Sequence, residues 1–118
     1  MTIEERFTTS YQRVKKRGYI PRYFLQMVAE YGHVGTMKRL LVPCGNHYHP
    51  GFQRTALPAP LGLDMPEESI ESIAIFEYPD YFTEEEKVEA KRRLVDCKLF
   101  ERCYNHHHAS HEEERSVN

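Results

Sequence analysis

Apolar residues recur along this chain at helical rather than alternating intervals, and the breaks between runs fall on glycine and proline. Ile3, Phe7, Tyr11 and Val14 follow the capping box Thr2-Ile3-Glu4-Glu5 and stop at Gly18, which predicts a helix over residues 3–17. Pro21 suits the first turn of a second helix, in which Phe24, Val28 and Tyr31 share a face before Gly32 ends it. A short third helix is expected over 36–41, with Met37, Leu40 and Leu41 pointing inward and Pro43 terminating it.

Residues 43–62 contain Pro43, Pro50, Pro58, Pro60, Gly45, Gly51 and Gly62. They read as a long connection with little regular structure, pinned to the core by Phe52 and Leu57, and such loops are commonly functional or flexible. Asp64-Met65-Pro66-Glu67 reads as the start of a fourth helix capped by Asp64, with Ile70, Ile73 and Ala74 as its buried stripe. Residues 72–76 also fit a short strand, and helix is preferred. After an aromatic turn over 78–82, the capping box Thr83-Glu84-Glu85-Glu86 opens a last helix running to Arg102. Val88, Val95 and Leu99 are expected on its inner face with Leu94 beside them, while the charges of 85–89 and 91–98 read as solvated. The fold class expected is all-α: a compact bundle of about five helices over 1–103, followed by a flexible polar tail over 104–118.

At 118 residues the chain suits one domain, and no apolar stretch approaches the roughly 20 residues of a membrane span. The first seven residues include Glu4 and Glu5 and no apolar core, so they do not read as a secretory signal and a cytoplasmic location is expected. Cys44, Cys97 and Cys103 are odd in number and far apart, which suits reduced thiols.

The net charge of -2 conceals an asymmetry. Residues 1–54 carry nine Lys or Arg against three acids, and residues 55–118 carry seven against fifteen. Arg6, Arg13 and Arg17 fall on one helical stripe, roughly 100° from the apolar face. Lys15, Lys16, Arg22, Lys38, Arg39 and Arg54 can join them, interleaved with Tyr19, Tyr23 and Tyr48. Such a surface can hold a phosphate backbone and stack bases, although no base-reading motif accompanies it. The alternative is that the two halves satisfy each other across the fold.

Cys44-Gly45-Asn46-His47-Tyr48-His49 places one thiol and two imidazoles within six residues. Zinc needs four ligands, usually as two close pairs, so Cys44, His47 and His49 are weak metal candidates and read first as loop residues. A Cys44 nucleophile with His47 or His49 lacks an orienting third group and an oxyanion hole. Asp64 and Glu68 are explained as a helix cap and a dipole partner before they are explained as catalytic carboxylates. No cofactor is implied, and a non-enzyme is expected.

Several segments taken together carry a resemblance: Tyr23-Phe24-Leu25-Gln26-Met27-Val28-Ala29-Glu30-Tyr31-Gly32, Lys38-Arg39-Leu40-Leu41, Gly51-Phe52, Leu63-Asp64 with Glu68, and Phe82-Thr83-Glu84-Glu85-Glu86 with Arg92-Arg93-Leu94. Over residues 19–95 the chain resembles a family of small bacterial proteins of unknown function. It departs from that family's pattern between Gly51 and Leu63, where a proline-rich segment replaces a shorter tryptophan-containing one. The resemblance implies a helical fold and a bacterial or mobile-element setting, and it implies no catalytic residue. The function expected is that of an interaction protein of bacterial or phage origin docking on a larger protein or protein–nucleic-acid complex, such as a restriction or CRISPR-type assembly. Tyr48, Phe52 and Arg54 would be its anchors. Direct DNA or RNA contact through the basic half is the alternative, and a zinc-binding module a further one.

Overall fold

The structure, a computed structural model, describes residues 1–45 and 48–116, the last stretch, 110–116, as backbone alone. It is all-α, and no helix among the described residues is long and apolar enough to cross a membrane. Helix α1 (Ile3–Lys16) starts where Thr2 accepts a hydrogen bond from the Glu5 amide, and turns Ile3, Phe7, Ser10 and Val14 inward. Gly18, at φ 101°, releases the chain into α2 (Arg22–Leu40).

The expected stop at Gly32 appears as a kink, since φ 75° and ψ 175° are not helical values. The helix resumes at once rather than at residue 36, because glycine adopts this conformation without a Cβ clash. Tyr31, before the kink, lies under the Arg39 guanidinium at 3.7 Å from the ring centre.

The connection over 43–62 is not structureless. Helix α3 (Pro50–Ala56) forms within it because Pro50 presets the first turn and His49 Nδ1 accepts the Phe52 amide as a side-chain cap. Asp64 caps no helix: it sits at φ 58° and binds Arg102 at 2.6 Å. A 3₁₀ turn, Pro66–Glu68, comes first, and Ser69 is the residue that caps α4 (Ile70–Ser72), by accepting from the Ser72 amide.

Past α4 the backbone widens into a π-turn, Ile73–Glu77, closed by the Tyr78 amide donating to the Ile73 carbonyl at 3.0 Å. No strand forms there. The 3₁₀ turn Pro79–Tyr81 then leads to α5 (Glu84–Asp96), whose Thr83–Glu86 capping box is complete in both directions. The expected long last helix is broken at Lys98, φ 60°, and α6 (Phe100–Ser116) continues through the segment read as a tail. Tyr104 and His107 bring their rings to within 6.3 and 5.7 Å of Phe76, so aromatic packing accompanies the start of that segment.

Two apolar clusters share the interior. Ile3 and Phe7 of α1, Met37 of α2 with Leu41 just past its end, Ile70, Ile73, Ala74, Phe82 and Ala90 form the first. Phe52 and Ala56 of α3, with Leu94, Leu99 and Cys103, form the second, and Ile75 packs against both. The inner face of α5 differs from expectation: Val88 and Val95 are exposed, whereas Glu89, Ala90, Arg93 and Leu94 are buried. The four fall into two pairs one helical turn apart, 89/93 and 90/94, so the face that Ala90 and Leu94 set takes two charged residues inside with them.

Candidate functional site

Most of the residues read as a basic binding surface are committed to other work. Arg6 belongs to the buried face of α1, and its guanidinium binds Glu68 at 2.8 Å and Glu77 at 2.7 Å. Arg13 reaches the other Glu68 oxygen at 2.8 Å, and Lys38 pairs with Glu86 at 2.7 Å while lying over Phe82. Arg54 lies over the Tyr19 ring. The basic and acidic halves of the sequence therefore meet across the fold, at Arg6 in its buried part and at Arg13 and Lys38 nearer the surface.

Lys16, Arg17 and Arg22 remain exposed and make no ion pair among the described residues. They flank the α1–α2 turn, beside the exposed side chains of Ile20 and Tyr23. Tyr48 is half-buried, edge-on to Phe52, with its hydroxyl 3.4 Å from Asp96. Phe52 is only 1% exposed, so it is a core residue rather than an interface anchor.

No group of three or more His, Cys, Asp or Glu suited to a metal occurs among the described residues. Cys44 is exposed, with the Arg93 guanidinium 3.6 Å from its sulfur, and His47 lies outside the described residues. His49 has both ring nitrogens engaged. Its Nδ1 takes the Phe52 amide proton, so Nε2 carries the ring proton and donates to Glu71 Oε2 at 3.0 Å.

That hydrogen bond leads to residues the sequence pattern did not mark. Glu71 and Arg93 are wholly buried, and Arg93 Nη1 donates to the same Glu71 oxygen, Oε2, at 2.9 Å. The guanidinium also donates to the Leu40 and Val42 carbonyls at 2.8 and 3.0 Å, finishing the C-terminal end of α2 from another helix. Burial by itself would raise the Glu71 carboxyl, but His49 and Arg93 outweigh it and hold the group below the usual carboxylate range. Glu68 behaves alike: burial opposes ionisation, and Arg6 and Arg13 override it. A local signal for Glu71 exists, because it stands three residues before Ala74 on the stripe that Ile70 and Ala74 define.

Beside this network lies a cavity of about 250 Å³ between α1, the first half of α2, α3 and the segment 68–71. Its wall is mainly aromatic and aliphatic, with Phe7, Tyr11, Tyr19, Phe24, Met27 and Phe52 prominent, and Glu68, Glu71 and His49 are its carboxylate and imidazole members. Glu71 Oε1 has no hydrogen-bond partner among the described residues. Burial raises the Tyr19 hydroxyl above its ordinary range, partly offset by Arg54. The arrangement provides a mainly apolar contact surface. His49 is locked as a cap and a donor, so it is not disposed to shuttle protons. No family model, curated protein or solved structure matches the chain.

Proposed function

We propose that this protein is a non-catalytic binding protein whose aromatic-walled cavity takes a small, largely apolar molecule. The observation that carries the reading is the cavity itself: about 250 Å³, apolar over most of its wall and bordered by a buried carboxylate. A cavity of ~150 Å³ already holds benzene, so this one has room for a larger ring system. Its polar members are occupied with holding the fold: His49 caps α3, Ser10 donates to the Glu68 carbonyl, and Ser69 caps α4. That division of labour suits binding rather than bond-making.

The test is direct. Naphthalene titrated into isotope-labelled protein should shift resonances of Met27, Phe24 and Thr55, and raise the melting temperature in proportion to the logarithm of its concentration once saturating. Met27→Trp, which narrows the cavity, should abolish both effects. Binding unaffected by Met27→Trp would place the ligand elsewhere.

A second reading is supported by a separate observation, the unpaired Lys16, Arg17 and Arg22 beside exposed Tyr23. Under it the α1–α2 turn docks on a nucleic-acid-handling complex, of the restriction or CRISPR type that the sequence suggested, or on nucleic acid directly. Retardation of RNA or DNA that weakens steeply with salt and disappears in Arg17→Glu/Arg22→Glu would favour direct contact. Capture of a protein partner that the same double variant loses would favour docking.

A further inference from the structure

We propose that the cavity takes an amphipathic carboxylate, with its ring system against the apolar wall and its anionic head at the mouth on Arg54. This rests on the cavity being a binding site and goes further by naming the chemical class of the guest.

The first ground is the sign of the unmatched charge. From Arg6 to Leu63, a stretch that holds most of α1 and all of α2 and α3, the sequence contains one acid, Glu30. The carboxylates of the remaining wall are already answered. Glu68 puts one oxygen on Arg6 and the other on Arg13, and Glu71 is held by His49 and Arg93. The charge left over around the cavity is positive.

The second ground is where those cations stand. Tyr11 and Tyr19 are half-buried members of the wall. The Lys15 ammonium lies 5.8 Å from the Tyr11 ring centre, and the Arg54 guanidinium 5.3 Å from that of Tyr19. Arg22 follows in the chain between Pro21 and Tyr23, two further wall residues. All three cations are exposed, and none forms an ion pair among the described residues. A guest seated in the cavity brings its head out beside them into water, where a carboxylate keeps much of its hydration and a guanidinium can hold it by two parallel hydrogen bonds. A cationic head would meet like charge there.

The third ground is that the wall suits the body of such a molecule and not its charge. Phe7, Phe24, Met27 and Phe52 offer ring and aliphatic surface, and the volume exceeds the ~150 Å³ that admits benzene. A carboxylate buried among these side chains, on the side of Glu68, would lose its hydration and gain no partner, which is costly. The guest is therefore oriented, with the ring inward and the acid outward.

Three probes with one ring system separate the possibilities by calorimetric titration of the full-length chain at neutral pH: 2-naphthoate, naphthalene, and 2-naphthylmethylamine, which is a cation there. 2-Naphthoate should bind about fivefold tighter than naphthalene, the factor that one well-oriented exposed ion pair contributes, and should outbind the amine by more. Lys15→Gln/Arg54→Gln alters exposed side chains outside any ion pair of the described residues. It should bring 2-naphthoate down to the affinity of naphthalene and leave naphthalene unchanged. Met27→Trp should abolish 2-naphthoate binding. 2-Naphthoate binding no tighter than naphthalene, or keeping its advantage in the double variant, would overturn the headgroup inference while leaving the cavity a binding site. Tightest binding by the amine would overturn it in favour of an acid-reading site. 2-Naphthoate still bound by Met27→Trp would place it on the basic surface outside the cavity and overturn the inference as well. Failure of all three to bind would overturn the binding-site reading and this inference together.

Discussion

Arg6 and Arg93 both cross the fold to reach glutamates, yet they stand in different media. Arg6 joins Glu68 and Glu77 at the margin of the first apolar cluster, where Glu77 keeps 27% and Arg13 55% of its side-chain surface in water. Arg93 and Glu71 keep none. The marginal network ties the basic half of the chain to the acidic half and accounts for part of the charge asymmetry in the sequence. The buried one does something else: Glu71 stands beside Ile70 of the first cluster and His49 against Phe52 of the second, so it occupies the seam between the clusters and borders the cavity. Ion pairs in water contribute little, whereas a buried pair is costly to assemble and more costly to halve. The two networks should therefore respond differently to the same insults.

The largest difference should appear on truncation. Arg93→Ala strands the Glu71 charge and leaves the Leu40 and Val42 carbonyls unanswered, and should cost about 3–5 kcal/mol in urea unfolding. A loss below ~1 kcal/mol would mean that the seam is dispensable. Arg6→Ala leaves Glu68 still paired with Arg13, so about 1–3 kcal/mol is expected from the same measurement.

Acid should separate them next. Glu68 and Glu71 both have carboxyls held below the ordinary value of about 4.5, so as the pH falls the unfolded chain takes up protons that the folded one excludes. Their contribution to stability is complete above about pH 5 and is lost as the pH falls below ~4.5 toward the lower folded values. A denaturant midpoint that stays flat from pH 5 to pH 3 would contradict this, and Arg6→Ala should shrink the acid-dependent part by weakening the hold on Glu68. Smallest of all, Lys16→Glu with Arg17→Glu touches neither network and should move stability by no more than ~0.5 kcal/mol. A larger loss would show that these two cations are paired in solution.

What the sequence made legible were the features decided by neighbours along the chain. The Thr83–Glu86 box, the turn at Gly18, the break at Gly32 and the inward Ile3, Phe7 and Val14 each depend on residues within a turn or two. The bundle class followed from these. The site was not legible in the same way. Arg93 resembles its exposed neighbour Lys91 in sequence, and only Glu71, twenty-two residues away, and the Leu40 and Val42 carbonyls, about fifty away, make it an interior residue. The apolar count on α5 favoured a face through Val88 and Val95, but tertiary partners turned the helix to bury Arg93. In α3 the Pro-Gly pair suggested a loop, while the His49 cap and Pro50 at the first turn are helix-opening signals of the kind seen elsewhere in this chain. His49 itself was singled out as a metal candidate, and its position mattered for a different reason, its link to Glu71.

The kink at Gly32 divides α2 into parts that are held unequally. Thr36 and Met37 beyond it are buried, whereas no residue from Arg22 to Tyr31 is. Tyr23, Phe24 and Met27 of that lightly held part form one wall of the cavity. Local opening free energy follows burial, so the segment 22–31 should be able to unlatch as a unit while the rest of the protein stays folded. Its amide hydrogens should exchange with solvent much faster than those of 33–40, and a guest in the cavity should slow only the first set. Exchange at equal rates in both parts would mean that α2 opens as one piece. Such unlatching would move one wall of the cavity through ten residues alone, without unfolding the rest of the protein.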